Sequence, residues 1–118
     1  MNGARPGYAV AQLRPAALRD EVIAYLERID ATLAPFGGRY LIHGAAPEVL
    51  EGAWPSHLVV IAFPDIDAAR AWYCSPAYRA IRSLRTAHIE GDVALLEGVE
   101  PGHRGIDILA ATGARAPG

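Results

Sequence analysis

The sequence predicts an α+β fold in which helices cover one face of a four-stranded antiparallel sheet. Its 118 residues suffice for one domain and are too few for two. With 52% hydrophobic and 20% charged residues, the chain has the composition of a globular protein with one core. Along the chain, segments with the composition of strands also alternate with segments that have the periodicity of helices.

The first strand and the first helix come from the N-terminal third of the chain. Tyr8–Leu13 has the composition of a strand. Pro15 is predicted to open a helix, because a proline at the first helical position loses no hydrogen bond. Gly37 and Gly38 are predicted to end this helix, because glycine readily adopts the left-handed conformation at helix C-termini. Between these signals, apolar residues at helical spacing form one buried stripe: Leu18, Val22, Tyr25, Leu26, Ile29, Leu33 and Phe36.

The remaining elements complete a recognisable order. Three more strands are predicted at Arg39–Ala45, Leu58–Phe63 and Asp92–Glu97. Two helices lie between the last two of these strands. Asp65 or Asp67 can cap a short helix that ends near Tyr73, and Ser75, followed by a proline, begins another that ends near Thr86. The resulting order, strand–helix–strand–strand–helix–strand, is the ferredoxin-like pattern.

The third predicted strand indicates that both faces of the sheet are buried. A strand between helices and water should alternate apolar and polar residues, but every residue of Leu58–Phe63 is apolar. Leu95 and Leu96 repeat the pattern in the last strand. Because the predicted helices cover only one face, we expect a homodimer whose two sheets pack together as a dimeric α/β barrel. The alternative is that the C-terminal tail folds back over the uncovered face.

The predicted domain covers residues 1–99 and leaves residues 100–118 as a C-terminal tail. Gly, Pro and Arg in this tail surround a short apolar segment, Ile106–Ala111. That segment could add a strand to the sheet or to a partner. The last few residues are expected to be disordered.

Charge and composition exclude several classes of partner and location. The formal net charge of −2 argues against binding to nucleic acid or to an anionic membrane, because both require a concentration of basic residues. No apolar run approaches the roughly 20 residues of a membrane span. The one cysteine, Cys74, cannot form an internal disulfide and no signal peptide is visible, so a cytoplasmic protein is expected. The histidines lack metal-ligand spacing, and neither a metal nor another cofactor is expected.

His43 is the candidate catalytic residue. It lies in a strand that otherwise reads Tyr-Leu-Ile, so an imidazole among apolar neighbours, at the mouth of a helix-covered sheet, could act as a general base. Simple alternation places Arg39 and His43 on one face of the strand and Tyr40 and Ile42 on the other. Arg39 is therefore included among the candidate ligand-binding residues. The structural alternative is a half-exposed histidine that hydrogen-bonds a neighbour.

Four more residues are candidate ligand-binding groups. Glu51 and Trp54 precede the third strand, where a carboxylate and an aromatic ring could form a pocket rim. Tyr78 and Arg82 lie on the last predicted helix. An arginine there could hold a carboxylate or enolate by two parallel hydrogen bonds, and the phenol could position a ligand oxygen. The structural alternatives are ion pairs or backbone contacts for the charged residues and core packing for the aromatic ones.

Several of these segments together resemble one bacterial family, the domain of unknown function 1330, which belongs to the dimeric α/β-barrel superfamily. The segments that carry the resemblance are residues 36–41, 48–55, 58–64, 68–73 and 75–78, with Arg82 and Arg85. The resemblance extends over about Tyr8–Val99 and implies a ferredoxin-like protomer and a dimer. It implies no reaction, because the superfamily includes cofactor-free monooxygenases, isomerase-like enzymes, haem-binding enzymes and ligand-binding modules.

The sequence leaves three classes of function open. We expect a binding module that holds a small organic molecule in a pocket between sheet and helices. The alternative is a cofactor-free enzyme, monooxygenase- or isomerase-like, that acts on an aromatic or enolisable substrate. In that enzyme His43 would be the base, and Glu51, Tyr78 and Arg82 would position the substrate. A purely structural or assembly role for the dimer is the third class.

Overall fold

The structure, a computed structural model, describes residues 5–112, with side chains described as far as Ala110. Its strands and helices are β1 (Gly7–Leu13), α1 (Asp20–Leu33), β2 (Arg39–Ala45), β3 (His57–Phe63), α2 (Ile66–Tyr73), α3 (Pro76–Thr86), β4 (Gly91–Glu97) and α4 (Ile108–Thr112). Short 3₁₀ helices at Ala34–Phe36 and Gly105–Asp107 follow α1 and precede α4. None of the helices in this described part of the chain is long and apolar enough to cross a membrane.

The four strands form one antiparallel sheet in the order β2-β3-β1-β4. The two central strands are β3 and β1; in β1, Ala9 pairs with Ile61 of β3 on one side and with Leu95 of β4 on the other. Each half of the chain contributes helical connections to the same side of this sheet. The predicted fold class, a ferredoxin-like sheet with helices on one face, is confirmed.

The helix-covered face of the sheet carries the core. Side chains of residues that pair directly across antiparallel strands point to the same face, so Ala9 and Ile61 share it. The core joins both layers and contains Ala9, Tyr25, Ile29, Leu33, Ile61, Phe63, Ala69, Trp72, Tyr78 and Ile81. Helices α1 and α3 pack against each other above the sheet, and α2 packs on β1.

The opposite face of the sheet is apolar and is not covered by α1, α2 or α3. In β3, Leu58, Val60 and Ala62 alternate with the residues that enter the core. Val60 pairs with Val10 on one side and Ile42 on the other, which places all three on this face. We call this surface the open face; it consists of Tyr8, Val10, Ile42, Leu58, Val60 and Leu96, of which Leu96 is 53% exposed.

The predicted start of the first helix is wrong. Residues 14–19 are not helical, and α1 begins at Asp20 with extended Arg19 before it. Asp20 and Glu21 place negative charge in the first turn, where the helix dipole favours it, whereas Pro15 lies in the preceding loop. Leu18 was expected in the buried stripe, but because it precedes the helix it is 70% exposed.

Both predicted caps of the later helices are present. At the start of α2, the Asp65 carboxylate accepts a hydrogen bond from the Ala68 N–H at 2.8 Å. At the start of α3, the Ser75 hydroxyl accepts one from the Tyr78 N–H at 3.2 Å, and Pro76 occupies the first helical position. The direction of each side chain on a helix depends on its distance in sequence from the helix start. By fixing the start of α3, the cap therefore also fixes which of its residues face α1.

The C-terminal tail is helical where a strand was one of the expectations. Residues Gly105–Asp107 form a 3₁₀ turn that leads into α4, so in the described part of the chain Ile106–Ala111 adds no strand to the sheet. The Asp107 carboxylate accepts a hydrogen bond from the Arg104 N–H at 2.9 Å, which closes this turn in place of an extended conformation. Residues 113–118, for which disorder is expected, lie outside the described residues.

Candidate ligand-binding site

A cavity of about 90 Å³ lies between the helix-covered face of the sheet and helices α1 and α3. Ala9 and Ala11 of β1 form its floor beside Val59 and Ile61 of β3. Because alanine side chains are short, the sheet and the helices do not fill the space above the centre of β1. The other lining residues are Leu13, Val22, Tyr25, Leu26, Ile29, Tyr40, His43, Trp72, Tyr73, Tyr78, Arg85, Ile89 and Val93.

Three of the lining residues form a buried polar group that we call the tyrosine–arginine cluster: Tyr25, Tyr78 and Arg85. The two phenol oxygens are 2.8 Å apart, and Arg85 Nη2 donates to the Tyr78 oxygen at 3.3 Å. Tyr78 and Arg85 are seven residues apart on α3, so they lie on one side of that helix and face Tyr25 on α1. The cluster is the main concentration of hydrogen-bonding groups in a lining that is mostly apolar.

Burial controls the protonation of the Tyr25 phenol. It raises the pKa of Tyr25 far above the ordinary value, Tyr78 raises it further, and Arg85 acts in the opposite direction. Tyr25 is therefore a neutral phenol at physiological pH and can donate a hydrogen bond.

Arg85 is a buried cation, with only 7% of the residue exposed. Burial lowers the pKa of its guanidinium, but Tyr78 and Tyr25 raise it by more, so the group is fully charged. Its guanidinium carbon also lies 5.7 Å from the centre of the Tyr25 ring, within range of a cation–π contact. Among the described residues, no carboxylate oxygen lies within 4.0 Å of the Arg85 nitrogens.

His43 reaches the cavity through an irregularity of β2. Tyr40 pairs with Ile61 and His43 pairs with Val59, with one more residue between them than regular pairing allows. Tyr40 and His43 consequently share the helix-covered face, where their rings stack with centres 4.1 Å apart. The expectation from simple alternation, that Tyr40 lies on the face opposite to His43, is wrong.

Tyr40 contributes a further phenol to the lining. Burial, with the Asp30 carboxylate as a smaller cause, raises the pKa of Tyr40 to about 12. The side chain therefore stays neutral beside the exposed imidazole of His43.

Four other candidates from the sequence lie outside the cavity. Arg39 pairs with Ala62 and so belongs to the opposite face of the sheet from His43, because of the same irregularity. Glu51 is exposed and Trp54 is 46% exposed in the loop before β3. Arg82 stacks on the Tyr73 ring at 4.9 Å and does not line the cavity. Of the six residues singled out from the sequence, His43 and Tyr78 line the cavity.

Trp72 forms an aromatic wall beside the cluster. Its indole N–H donates to the Thr32 hydroxyl at 3.0 Å, and its ring centre lies 4.2 Å from that of Tyr78. Thr32 in turn donates to the Ile29 carbonyl at 2.6 Å. This chain of contacts fixes the indole and, through it, the position of the Tyr78 ring.

Sequence reasoning missed Arg85 and Tyr25 as members of the site. Arg82, on the same helix, was singled out instead, but it stacks on the Tyr73 ring and does not line the cavity. The informative signal is the spacing of three and four residues that places Tyr78, Ile81 and Arg85 on one buried side. Tyr25 was assigned to the apolar stripe of α1, and the sequence gives no sign that its hydroxyl forms a hydrogen bond.

Several solved structures resemble this chain in fold. A protein of unknown function from Rhodopseudomonas palustris is 20% identical, with a TM-score of 0.62 over 83% of this chain and 85% of the other. A dimeric ferredoxin-like protein of unknown function from Thermobifida fusca is 17% identical, with a TM-score of 0.53 over 84% and 94%. A protein of the DABB family with a ferredoxin-like fold, from Mesorhizobium loti, is 16% identical, with a TM-score of 0.52 over 83% and 99%. At these identities the likeness concerns the fold alone.

Comparison by sequence identifies the family. No curated protein matches the chain. The sequence profile of a domain of unknown function, DUF1330, matches residues 6–99, which include all four strands and helices α1, α2 and α3. The chain therefore belongs to the DUF1330 family.

Proposed function

We propose that this protein binds a small organic molecule in the cavity between the sheet and helices α1 and α3. The observation that carries the proposal is the tyrosine–arginine cluster, which presents polar groups to a mostly apolar cavity. Binding sites for small molecules typically combine an apolar lining with a few converging polar groups. Burying a charge and hydroxyl groups costs free energy unless they are hydrogen-bonded, and apolar side chains at these positions would avoid that cost in a core that holds no ligand.

The cavity is tested by filling it. Ala11 lies on its floor, so Ala11→Leu should occupy most of the space, whereas Ala71→Leu adds the same atoms on the exposed side of α2. A library of small organic molecules is screened against both variants and the wild type by thermal shift. At ten times its Kd, a ligand should stabilise the protein by about 1.4 kcal/mol, which raises Tm by roughly 3–6 °C.

We expect the wild type and Ala11→Leu to differ. Hits should raise the Tm of the wild type and of Ala71→Leu and leave Ala11→Leu unchanged. Equal shifts in Ala11→Leu would place the binding site elsewhere, and a library without hits would remove support for the proposal.

The proposed assembly is a homodimer that joins two open faces. The open face is apolar and half-buried or exposed, and the similar protein from Thermobifida fusca is described as dimeric. Burying ~600 Å² of apolar surface would contribute on the order of 15 kcal/mol, enough to offset an association cost of ~4–15 kcal/mol. Two sheets packed in this way would close into the dimeric α/β barrel expected from the sequence.

Sedimentation tests the dimer. The wild type should sediment at twice the 12.6 kDa mass of the chain. Val60→Lys, at the centre of the open face, should give a folded monomer, and Ala71→Lys on exposed α2 should remain dimeric. A monomeric wild type, or a dimeric Val60→Lys, would contradict the proposed interface.

A cofactor-free enzyme is the second candidate function, and the position of His43 favours it. The imidazole lines the cavity, stacks on Tyr40 and has an exposed edge, so it could exchange a proton between a bound substrate and water. If a cavity ligand is turned over, His43→Ala should abolish turnover while the ligand still raises Tm. Unchanged turnover in His43→Ala would exclude His43 as the base.

A further inference from the structure

Arg85 has no carboxylate counter-ion in the part of the chain that the structure describes. Every ion pair among the described residues involves a basic group other than Arg85. Glu21 on α1, for example, contacts His88 at 3.6 Å. A guanidinium has five N–H donors, and the hydrogen bonds described for Arg85 go to phenol oxygens, at 3.3 Å to Tyr78 and also to Tyr25. A buried charge is costly unless a group of opposite charge accompanies it. Within residues 5–112, the cavity therefore holds a positive charge that no carboxylate neutralises.

The tyrosine pair offers a further donor whichever way its shared hydrogen bond runs. If Tyr78 donates to Tyr25, the proton of Tyr25 has no acceptor among the described side chains. If Tyr25 donates, Tyr78 accepts from both Tyr25 and Arg85 and its own proton is left over. Each phenol carries one proton, so one O–H remains for a ligand in either arrangement. The tyrosine–arginine cluster thus offers the cavity a phenol O–H in addition to the N–H donors of the guanidinium.

We propose that the ligand is a small organic monoanion whose carboxylate is bound by Arg85 and the free phenol of the Tyr25–Tyr78 pair. This inference rests on the proposed function, because it names the ligand class of the same cavity. A carboxylate accepts two parallel hydrogen bonds from a guanidinium and has lone pairs left for a phenol. The apolar part of the ligand would lie on Ala9 and Val59, where no polar group needs to be satisfied.

The size of the cavity restricts the apolar part. Its volume of about 90 Å³ is smaller than the ~150 Å³ of an engineered cavity that admits benzene. A short branched or linear chain of a few carbons therefore suits this space better than an aromatic ring. Inorganic phosphate is disfavoured, because its oxygens would face the carbon lining on the side away from Arg85.

A matched pair of ligands tests the charge. Isobutyrate and isobutyramide have nearly the same shape, but only isobutyrate is an anion at neutral pH. Calorimetric titration of the full-length wild type should give a Kd for isobutyrate at least tenfold lower than for isobutyramide, because hydrogen bonds to charged groups are the stronger ones. Arg85→Met should lose this preference, and Arg79→Met, on the exposed side of α3, should retain it.

The outcomes separate this inference from the proposed function. If isobutyramide binds as tightly as isobutyrate, the cavity binds ligands, but the proposal that its ligand is an anion is wrong. If neither binds and the library screen gives no hit, the proposed function fails as well. If Arg85→Met fails to fold, Arg85→Lys replaces it, because lysine keeps the positive charge but lacks the planar guanidinium. Arg85→Lys should bind isobutyrate more weakly than the wild type does and should still prefer isobutyrate to isobutyramide. Loss of the preference in Arg85→Lys or in Arg79→Met would overturn the assignment to Arg85.

Discussion

The Tyr78 hydroxyl takes part in both short hydrogen bonds of the tyrosine–arginine cluster, one with Tyr25 and one with Arg85. The Tyr25 hydroxyl takes part in the first of these. Tyr78→Phe removes the 2.8 Å contact between the phenols and the 3.3 Å hydrogen bond from Arg85. Tyr25→Phe removes the contact between the phenols and the weaker interaction of the Tyr25 oxygen with Arg85, and Arg85 keeps its 3.3 Å hydrogen bond to Tyr78. The two substitutions delete the same atom from the same kind of side chain, so their costs should differ only through Arg85.

These contacts give the expected costs in free energy of unfolding. A neutral hydrogen bond is worth about 1 kcal/mol, and one to a charged group about 1.5–3 kcal/mol. Tyr25→Phe should therefore cost about 1 kcal/mol and Tyr78→Phe about 3 kcal/mol. The double variant should cost little more than Tyr78→Phe, because the shared bond is lost only once. The coupling between the two sites is then about 1 kcal/mol.

Urea denaturation followed by far-UV circular dichroism measures all four proteins. The protein concentration must be the same throughout, because the stability of a dimer depends on it. Equal costs for the two single variants would show that Arg85 gains nothing from the Tyr78 oxygen. A double variant that costs the sum of the single variants would show that the two phenols are not coupled.

Three further substitutions test other parts of the structure by the same measurement. Gly7→Ala should destabilise the protein by about 1–3 kcal/mol or more, because the new Cβ would overlap the backbone of Ile66; a change below ~0.5 kcal/mol would contradict this close approach. Thr32→Val should cost about 1–3 kcal/mol, because it leaves the Trp72 indole N–H buried without an acceptor; an unchanged midpoint would rule out that hydrogen bond. Because the pKa of Tyr40 is raised to about 12, the unfolded chain loses this proton first above pH 10, so stability should fall as the pH rises from about 10 to 12. Tyr40→Phe should lose less stability than the wild type between pH 9 and pH 11. An equal loss in the two proteins would show that the Tyr40 phenol does not cause the fall in stability at high pH.

The elements that the sequence predicts well are those whose ends depend on local chemistry. Ser75 followed by Pro76 defines the start of α3, and Asp65 defines that of α2, because each side chain bonds a backbone N–H in its own turn. The start of α1 was misplaced because a proline fits a loop as well as a first turn. The acidic pair Asp20 and Glu21 was the better signal for the helix dipole.

The site was less predictable, because its geometry depends on non-local contacts. The pairing of β2 with β3 shifts between Tyr40 and Ile42, and this shift reverses the faces that alternation assigns. Nothing in the residues of β2 alone indicates the shift, so Arg39 was grouped with His43. The cavity exists because Ala9 is small at the point where the helices cross β1. Where they cross depends on how three separate segments, β1, α1 and α3, pack together.

The most direct test of the ligand site is a methyl NMR titration of the ¹³C-labelled wild type with isobutyrate. The lining of the cavity contains Ile29, Val59 and Ile61, whereas Val60 and Leu96 belong to the open face. The expected result is a saturable shift of the Ile29, Val59 and Ile61 methyl signals with Val60 and Leu96 unchanged. Shifts confined to Val60 and Leu96, or no saturable shift at all, would contradict binding in the cavity.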